Sequence, residues 1–243
     1  MRLITALIPA LTLAASISAQ EAVPPVDPWT SSIGAGLALT SGNSDTQNLN
    51  ISLNTLWDPK TNRTFKAEAH YLRGETNEER TVDKLTAGAR YDRSLSERMF
   101  LFTEVSAQRD PFKNIDYFIA PLAGAGWFAI KDERHVLRFD GAAGFVTEKN
   151  SVLGTDTSGA IKAGQSYDRK FSATSALTQQ LTGIWKVKDF DDASYHFAAG
   201  ITSTLTPRSE LKLSYVYDYR NRVSSPEIEK GDSALFAALL FKF

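Results

Sequence analysis

Along most of this chain apolar and polar residues alternate with a period of two. In TQNLNISLNTLWD (46–58), Leu49, Ile51, Leu53, Thr55 and Trp57 stand against Asn48, Asn50, Ser52 and Asn54, which predicts a strand with one apolar and one polar face. RTFKAEAHYL sets Phe65, Ala67, Ala69 and Tyr71 against Lys66, Glu68 and His70. KLTAGARYDR sets Leu85, Ala87, Ala89 and Tyr91 against Lys84, Thr86, Arg90 and Asp92, and ELKLSYVYDY sets Leu211, Leu213, Tyr215, Tyr217 and Tyr219 against Glu210, Lys212, Ser214 and Asp218. Less regular segments at 31–40, 99–109, 117–129, 135–147, 160–170, 175–187, 195–206 and 233–243 bring the expected strands to twelve. Helices fit poorly, because glycines such as Gly88, Gly124, Gly141 and Gly200 would fall inside them and no long i, i+3, i+4, i+7 stripe emerges. The expected fold class is all-β.

The links between these segments alternate in length. DPKTN, SLSER, KDER, KFSAT and TPRS are tight and rich in turn formers. GETNEER, DPFKNID, EKNSVLGTDTSG, VKDFDDA and NRVSSPEIEKGD are longer, and only SGNSD in that set is short. Tight and long links in alternation, with an even strand number, predict a closed up-and-down antiparallel transmembrane β-barrel of about 12 strands with both termini periplasmic. Closure follows because hydrocarbon cannot satisfy the backbone groups of an open sheet edge. The apolar parity would then meet lipid and the polar parity line the interior. Trp57, Tyr71, Tyr91, Trp127, Phe145, Trp185, Tyr219, Phe241 and Phe243 sit near segment ends, as interfacial aromatic girdles require. In the last segment Leu235, Ala237, Leu239, Phe241 and Phe243 share one parity. A soluble barrel with a lipocalin-like calyx is the competing all-β reading.

Compartment and composition sharpen the choice. MRLITALIPALTLAASISAQ has one basic residue, an apolar run too short to span a bilayer, and small residues at its exit, the layout of a signal peptide over 1–19. The Pro-rich stretch 20–29 reads as a linker, and 30–243 as the barrel domain. There is no cysteine among 243 residues, and the formal net charge is −1, so no basic field points to nucleic acid.

The stretch GLALTSGNSDTQNLNISL, followed by AEAHYLRGETNEERTVDKLTAGARYDRSLSERMFLFTEVSAQRDPFKNIDYFIAPLAGAGW, resembles the DUF481 or YdiY-like family of outer-membrane proteins of unknown function, also labelled salt-induced outer membrane protein. The residues that carry the resemblance are Thr40-Ser41-Gly42-Asn43-Ser44-Asp45-Thr46, Tyr91, Leu95-Ser96-Glu97-Arg98, Asp110, Phe112, Ile115, Asp116 and Tyr117. It runs from about residue 32 to the end of the chain and is weakest over 149–194. It implies a Gram-negative outer-membrane barrel and carries no established activity. It also implies that Phe241 and Phe243 belong to an assembly signal read by the barrel-assembly machinery, with outer-membrane lipid as the other partner.

Catalytic chemistry is sparse. His70, His135 and His196 share no ligand spacing, and no nucleophile elbow or phosphate-cradling loop occurs. Asp191-Asp192 could hold Ca²⁺, but reads better as a solvated acidic loop. No catalytic, cofactor-binding or metal-binding residue is assigned, and no enzyme activity is expected; an outer-membrane hydrolase would need a set that the sequence does not offer. Charge instead concentrates on the inward parity, where Lys66, Glu68, His70, Lys84, Arg90, Asp92, Glu104, Arg138, Asp140 and Lys212 are the expected lumen residues. The two signs nearly balance. Two functions fit such a lumen: a narrow pore for small solutes, or a plugged, stress-related scaffold acting through its external loops. Sequence leaves both open, and leaves the oligomeric state open too.

Overall fold

The computed structural model describes residues 27–41, 46–76 and 79–243. The expected signal peptide, most of the linker and residues 42–45 of the SGNSD link lie outside the described residues. Twelve strands form: β1 (Trp29–Ser41), β2 (Thr46–Trp57), β3 (Arg63–Thr76), β4 (Glu79–Ser94), β5 (Met99–Asp110), β6 (Ile115–Lys131), β7 (His135–Asn150), β8 (Gly154–Lys170), β9 (Ser175–Lys186), β10 (Asp189–Thr206), β11 (Ser209–Arg220) and β12 (Gly231–Lys242). Each pairs antiparallel with its sequence neighbours, and β12 returns to β1 to close the barrel. At this seam Ile33 opposes Phe241 and Leu39 opposes Leu235. Phe243 completes the seam: its N–H donates to the Ser31 carbonyl at 3.0 Å, and its carbonyl accepts the Ser31 N–H at 3.2 Å.

The end that holds Trp29 and Phe243 is called the near end, and the opposite rim the far end. Near-end links are short, at 58–62, 95–98, 132–134, 171–174 and 207–208. Asp132 fastens one of them by accepting the N–H groups of Arg134 and His135 at 2.8 and 2.7 Å. Those two backbone donors hold its carboxyl below the usual aspartate range.

The expected alternation of link lengths is corrected at the far end. Among the described residues the links there span 111–114, 151–153 and 187–188, and only 221–230 is long. Segments expected as loops continue the ladder instead: Glu148 opposes Asp156 and Thr147 opposes Thr157. Polar residues above an apolar band still satisfy their backbone best by pairing, yet they lose the apolar alternation that marks a strand in sequence. Irregularities fall near the rims, at Gly74/Glu75, Gln108/Asp110 and Asp189/Ala193, where bulges end or bend a ladder.

The outer surface is apolar. Leu37, Leu53, Ile119, Ile161, Ile201, Leu213 and Leu235 all remain exposed, an uninterrupted belt far beyond what a water-facing surface tolerates. Aromatic side chains border it at both ends. Trp29 meets Trp57 at 6.3 Å and Phe65 at 6.4 Å near one rim, and Tyr195 meets Trp185 at 5.8 Å and Tyr219 at 6.2 Å toward the other. A soluble calyx buries such residues inside; this barrel does the reverse.

Inside, the concave wall crowds inward positions. A Cβ on Gly124 would come within 2.1 Å of the Gly141 carbonyl, and one on Gly144 within 2.2 Å of that of Pro121. Glycine is required at these two places so that β6 and β7 can curve together.

Candidate functional site

The interior divides into a packed side and a wet side. On the packed side Phe100, Phe102, Phe118, Leu122 and Val146 form one buried cluster with Ile115, Ala120, Ala142 and Ala160, and Phe128 and Ile184 pack against it. The expectation of a uniformly polar inward face is corrected here. The run MFLF is apolar on both parities, so β5 carries phenylalanine inward as well as leucine outward; that double run was the available signal.

Ion pairs sit on this apolar bed. Arg90, from β4, donates to Asp92 at 2.9 Å, Glu104 at 3.0 Å and Asp140 at 3.0 Å, with its guanidinium 3.7 Å above the Phe102 ring. Lys162 of β8 donates to Glu104 at 2.5 Å. Since β4 and β7 are not neighbours, the Arg90–Asp140 pair spans the interior. Register alone sets Lys66 opposite Arg90 and Arg90 opposite Glu104; contacts between non-adjacent strands follow from the curvature.

A second group bridges almost the full diameter. Lys84 of β4 reaches Asp218 of β11 at 2.7 Å, and His196 Nδ1 lies 2.7 Å from the other oxygen of that carboxylate. Toward the far end Arg220 reaches both oxygens of Glu148 at 3.0 Å, and Lys186 reaches Asp192 at 2.7 Å. Glu148, Arg220 and Lys113 were missed in sequence. Glu148 continues the inward parity of β7 just past the expected segment 135–147 and Arg220 is the last residue of the expected segment 210–220, whereas Lys113 sits in the short 3-10 turn Pro111–Lys113.

The long far-end link is a strap across the mouth. Asn114, between β5 and β6, donates to Ser224 Oγ at 3.0 Å, although β5–β6 and β11–β12 face each other across a twelve-strand ring. Arg222 holds Asp189 at 2.6 Å, and Lys113 pairs with Asp232. Beneath the strap is a cavity of about 260 Å³ whose lining includes Lys113, Glu148, Asn150, Asp156, Arg220 and Ser224.

The wet side runs along β9–β11 and β3. Many inward positions of β9–β11 are small or polar, including Thr178, Gln180, Thr182, Gly200, Thr202 and Ser214, and Thr178 and Gln180 remain exposed. Lys66 and Glu68 on β3 face inward and are exposed as well. His70 and Lys212 are half-buried on the same face, opposite Thr86 and Thr202. Arg138 donates to Ser166 Oγ at 2.6 Å. The ten expected lumen residues thus separate: Lys84, Arg90, Asp92, Glu104 and Asp140 enter ion-pair networks, and the other five do not.

Among the described residues no group of three or more His, Cys, Asp or Glu side chains could hold a metal ion. Asp192 turns inward to Lys186 while Asp191 stays exposed, so the two do not converge. His135 lies beside Tyr167, 2.8 Å from its hydroxyl, far from His196. Chemically, the interior offers paired charges on one side and accessible polar and charged side chains on the other.

A family model described as a protein of unknown function, DUF481, matches residues 33–243. Curated proteins offer no match. Among solved structures, the NanC porin is similar with a TM-score of 0.60 and 11% identity, over 87% of this chain and 100% of that one. The KdgM porin follows with a TM-score of 0.52 and 7% identity, over 87% and 99%. The translocator domain of the autotransporter NalP from Neisseria meningitidis has a TM-score of 0.54 and 11% identity, over 89% of each. At these identities the likeness is one of fold. The chain belongs to the DUF481 family.

Proposed function

We propose that this DUF481 barrel is a narrow outer-membrane pore for small polar solutes, with its near end periplasmic and its far end outside. The observation that carries this reading is the division of the interior: one wall is packed, while inward Lys66, Glu68, Thr178 and Gln180 stay exposed to water. A lumen filled for stability alone would bury both walls. The apolar outer belt and its aromatic borders suit outer-membrane lipid as the surrounding partner. The likeness in fold to the NanC and KdgM porins supports a pore more than an enzyme. Phe243 is 79% exposed despite its seam hydrogen bonds, so its ring is free for the barrel-assembly machinery.

The second reading, a closed scaffold, is favoured by the strap over the far mouth and by the ion pairs that cross the interior. Single-channel recording in planar bilayers separates the two. The pore reading expects small discrete steps from the wild type and larger ones when residues 222–229 are replaced by a short glycine linker. A correctly folded barrel that gives no steps in either form would establish the closed scaffold.

A further inference from the structure

Most inward charges are neutralised within the wall. Lys84, Arg90, Lys162, Lys186, Arg220 and Lys242 each have a carboxylate within ion-pair distance. Lys66, Arg138 and Lys212 face the same interior, and among the described residues none of them has a carboxylate oxygen within 4.0 Å. Their placement is regular. Each is the fourth residue from the near end of its strand, since β3 begins at Arg63, β7 at His135 and β11 at Ser209. In a ring of twelve strands in sequence order, β3, β7 and β11 are one third of the circumference apart.

Resting on the pore reading, we propose that Lys66, Arg138 and Lys212 form a cationic ring at the near end of the lumen, and that the solutes this pore selects are small anions such as carboxylates and phosphate. Lys66 is exposed and Arg138 and Lys212 are half-buried, so their charges act in confined water, where low-dielectric walls focus the field. Ser166 Oγ holds Arg138 in place. Two inward carboxylates of the near half, Glu68 and Asp168, likewise have no cation within ion-pair distance; three unpaired cations against two give an anion preference that these carboxylates moderate. The remaining acids at this level are committed, Asp92 to Arg90 and Glu210 to Lys242. Three unpaired lysine and arginine side chains at equivalent heights, one per third of the wall, serve no packing purpose: burying them would require partners that the wall elsewhere supplies.

The test is the reversal potential under a potassium chloride gradient. The wild type is expected to prefer chloride. The combined Lys66→Gln, Arg138→Gln and Lys212→Gln variant should lose or invert that preference, and Asp168→Asn should strengthen it. Lys212→Arg should leave it unchanged, which separates charge from packing. Potassium preference in the wild type, or an unaltered ion ratio in the triple variant, overturns the inference and leaves the pore standing. Absence of any conductance, also after strap replacement, overturns the pore reading and the inference with it.

Discussion

Arg90→Met removes a charge and keeps most of the side-chain hydrocarbon over Phe102. Three carboxylates, Asp92, Glu104 and Asp140, would be left with Lys162 as the only cation of the network. Their side chains are 11%, 14% and 9% exposed, so water can replace little of what the guanidinium supplies. Hydrogen bonds to charged groups contribute roughly 1.5–3 kcal/mol each. Simple addition overstates the loss, because a stranded carboxylate takes up a proton or draws in water. Removing one partner of a buried ion pair costs about 3–5 kcal/mol, and that is the expected loss here. It is a large share of the roughly 5–15 kcal/mol that holds an ordinary domain. Reversible urea unfolding in phospholipid vesicles reads this quantity. Asp92→Asn and Asp140→Asn added to Arg90→Met should recover more than half of it, because the uncompensated charge is then gone. A loss under about 1 kcal/mol, or no recovery in the triple variant, would refute the assignment of this network as a buried, mutually dependent cluster.

Other perturbations probe the wall and the mouth. Leu239→Arg puts a charge on the outer belt beside Ala35 and Leu211 and should cost more in vesicle unfolding than Phe241→Lys nearer the rim, for which about 0–1 kcal/mol is expected; equal costs would mean that the belt is misplaced. Deleting Phe243 removes an exposed ring, so assembled protein in cells should fall more than refolding yield in detergent, and equal losses would reduce Phe243 to its seam hydrogen bonds. Asn114→Cys with Ser224→Cys, in a chain that has no cysteine of its own, should lock the strap on oxidation and lower conductance until reductant is added; conductance indifferent to oxidation of a formed cross-link would show that the strap does not gate the mouth.

Parity explains how much of this was legible in sequence. Residues such as Ile51, Leu213 and Leu239 had to face one way for the chain to present a continuous apolar belt, so strand number and facing followed from alternation. Lys66, Arg90 and Lys212 were placed on the inward face by the same logic. Their fates were not legible: Arg90 pairs with Asp140 across two intervening strands, and whether a lysine meets a carboxylate depends on register and curvature around the whole ring. The apolar inner wall was hidden because Phe100 and Phe102 interrupt alternation within an otherwise readable strand. At the far end, polar stretches such as TDTS (155–158) looked like loop because pairing outside the apolar belt needs no apolar alternation. The strap was visible as one of the two longest links, but its anchor at Asn114 on the opposite rim was not.

The proposed orientation puts the strapped mouth of the membrane-embedded barrel outward and its tight turns inward. Single cysteines at Ser224 and at Ser172, labelled on intact cells with a bulky polyethylene-glycol maleimide, test it most directly. Ser224→Cys is expected to be labelled at once, and Ser172→Cys only after the outer membrane is permeabilised. Labelling of Ser172→Cys with Ser224→Cys protected, or recovery of both in a soluble fraction, would contradict it.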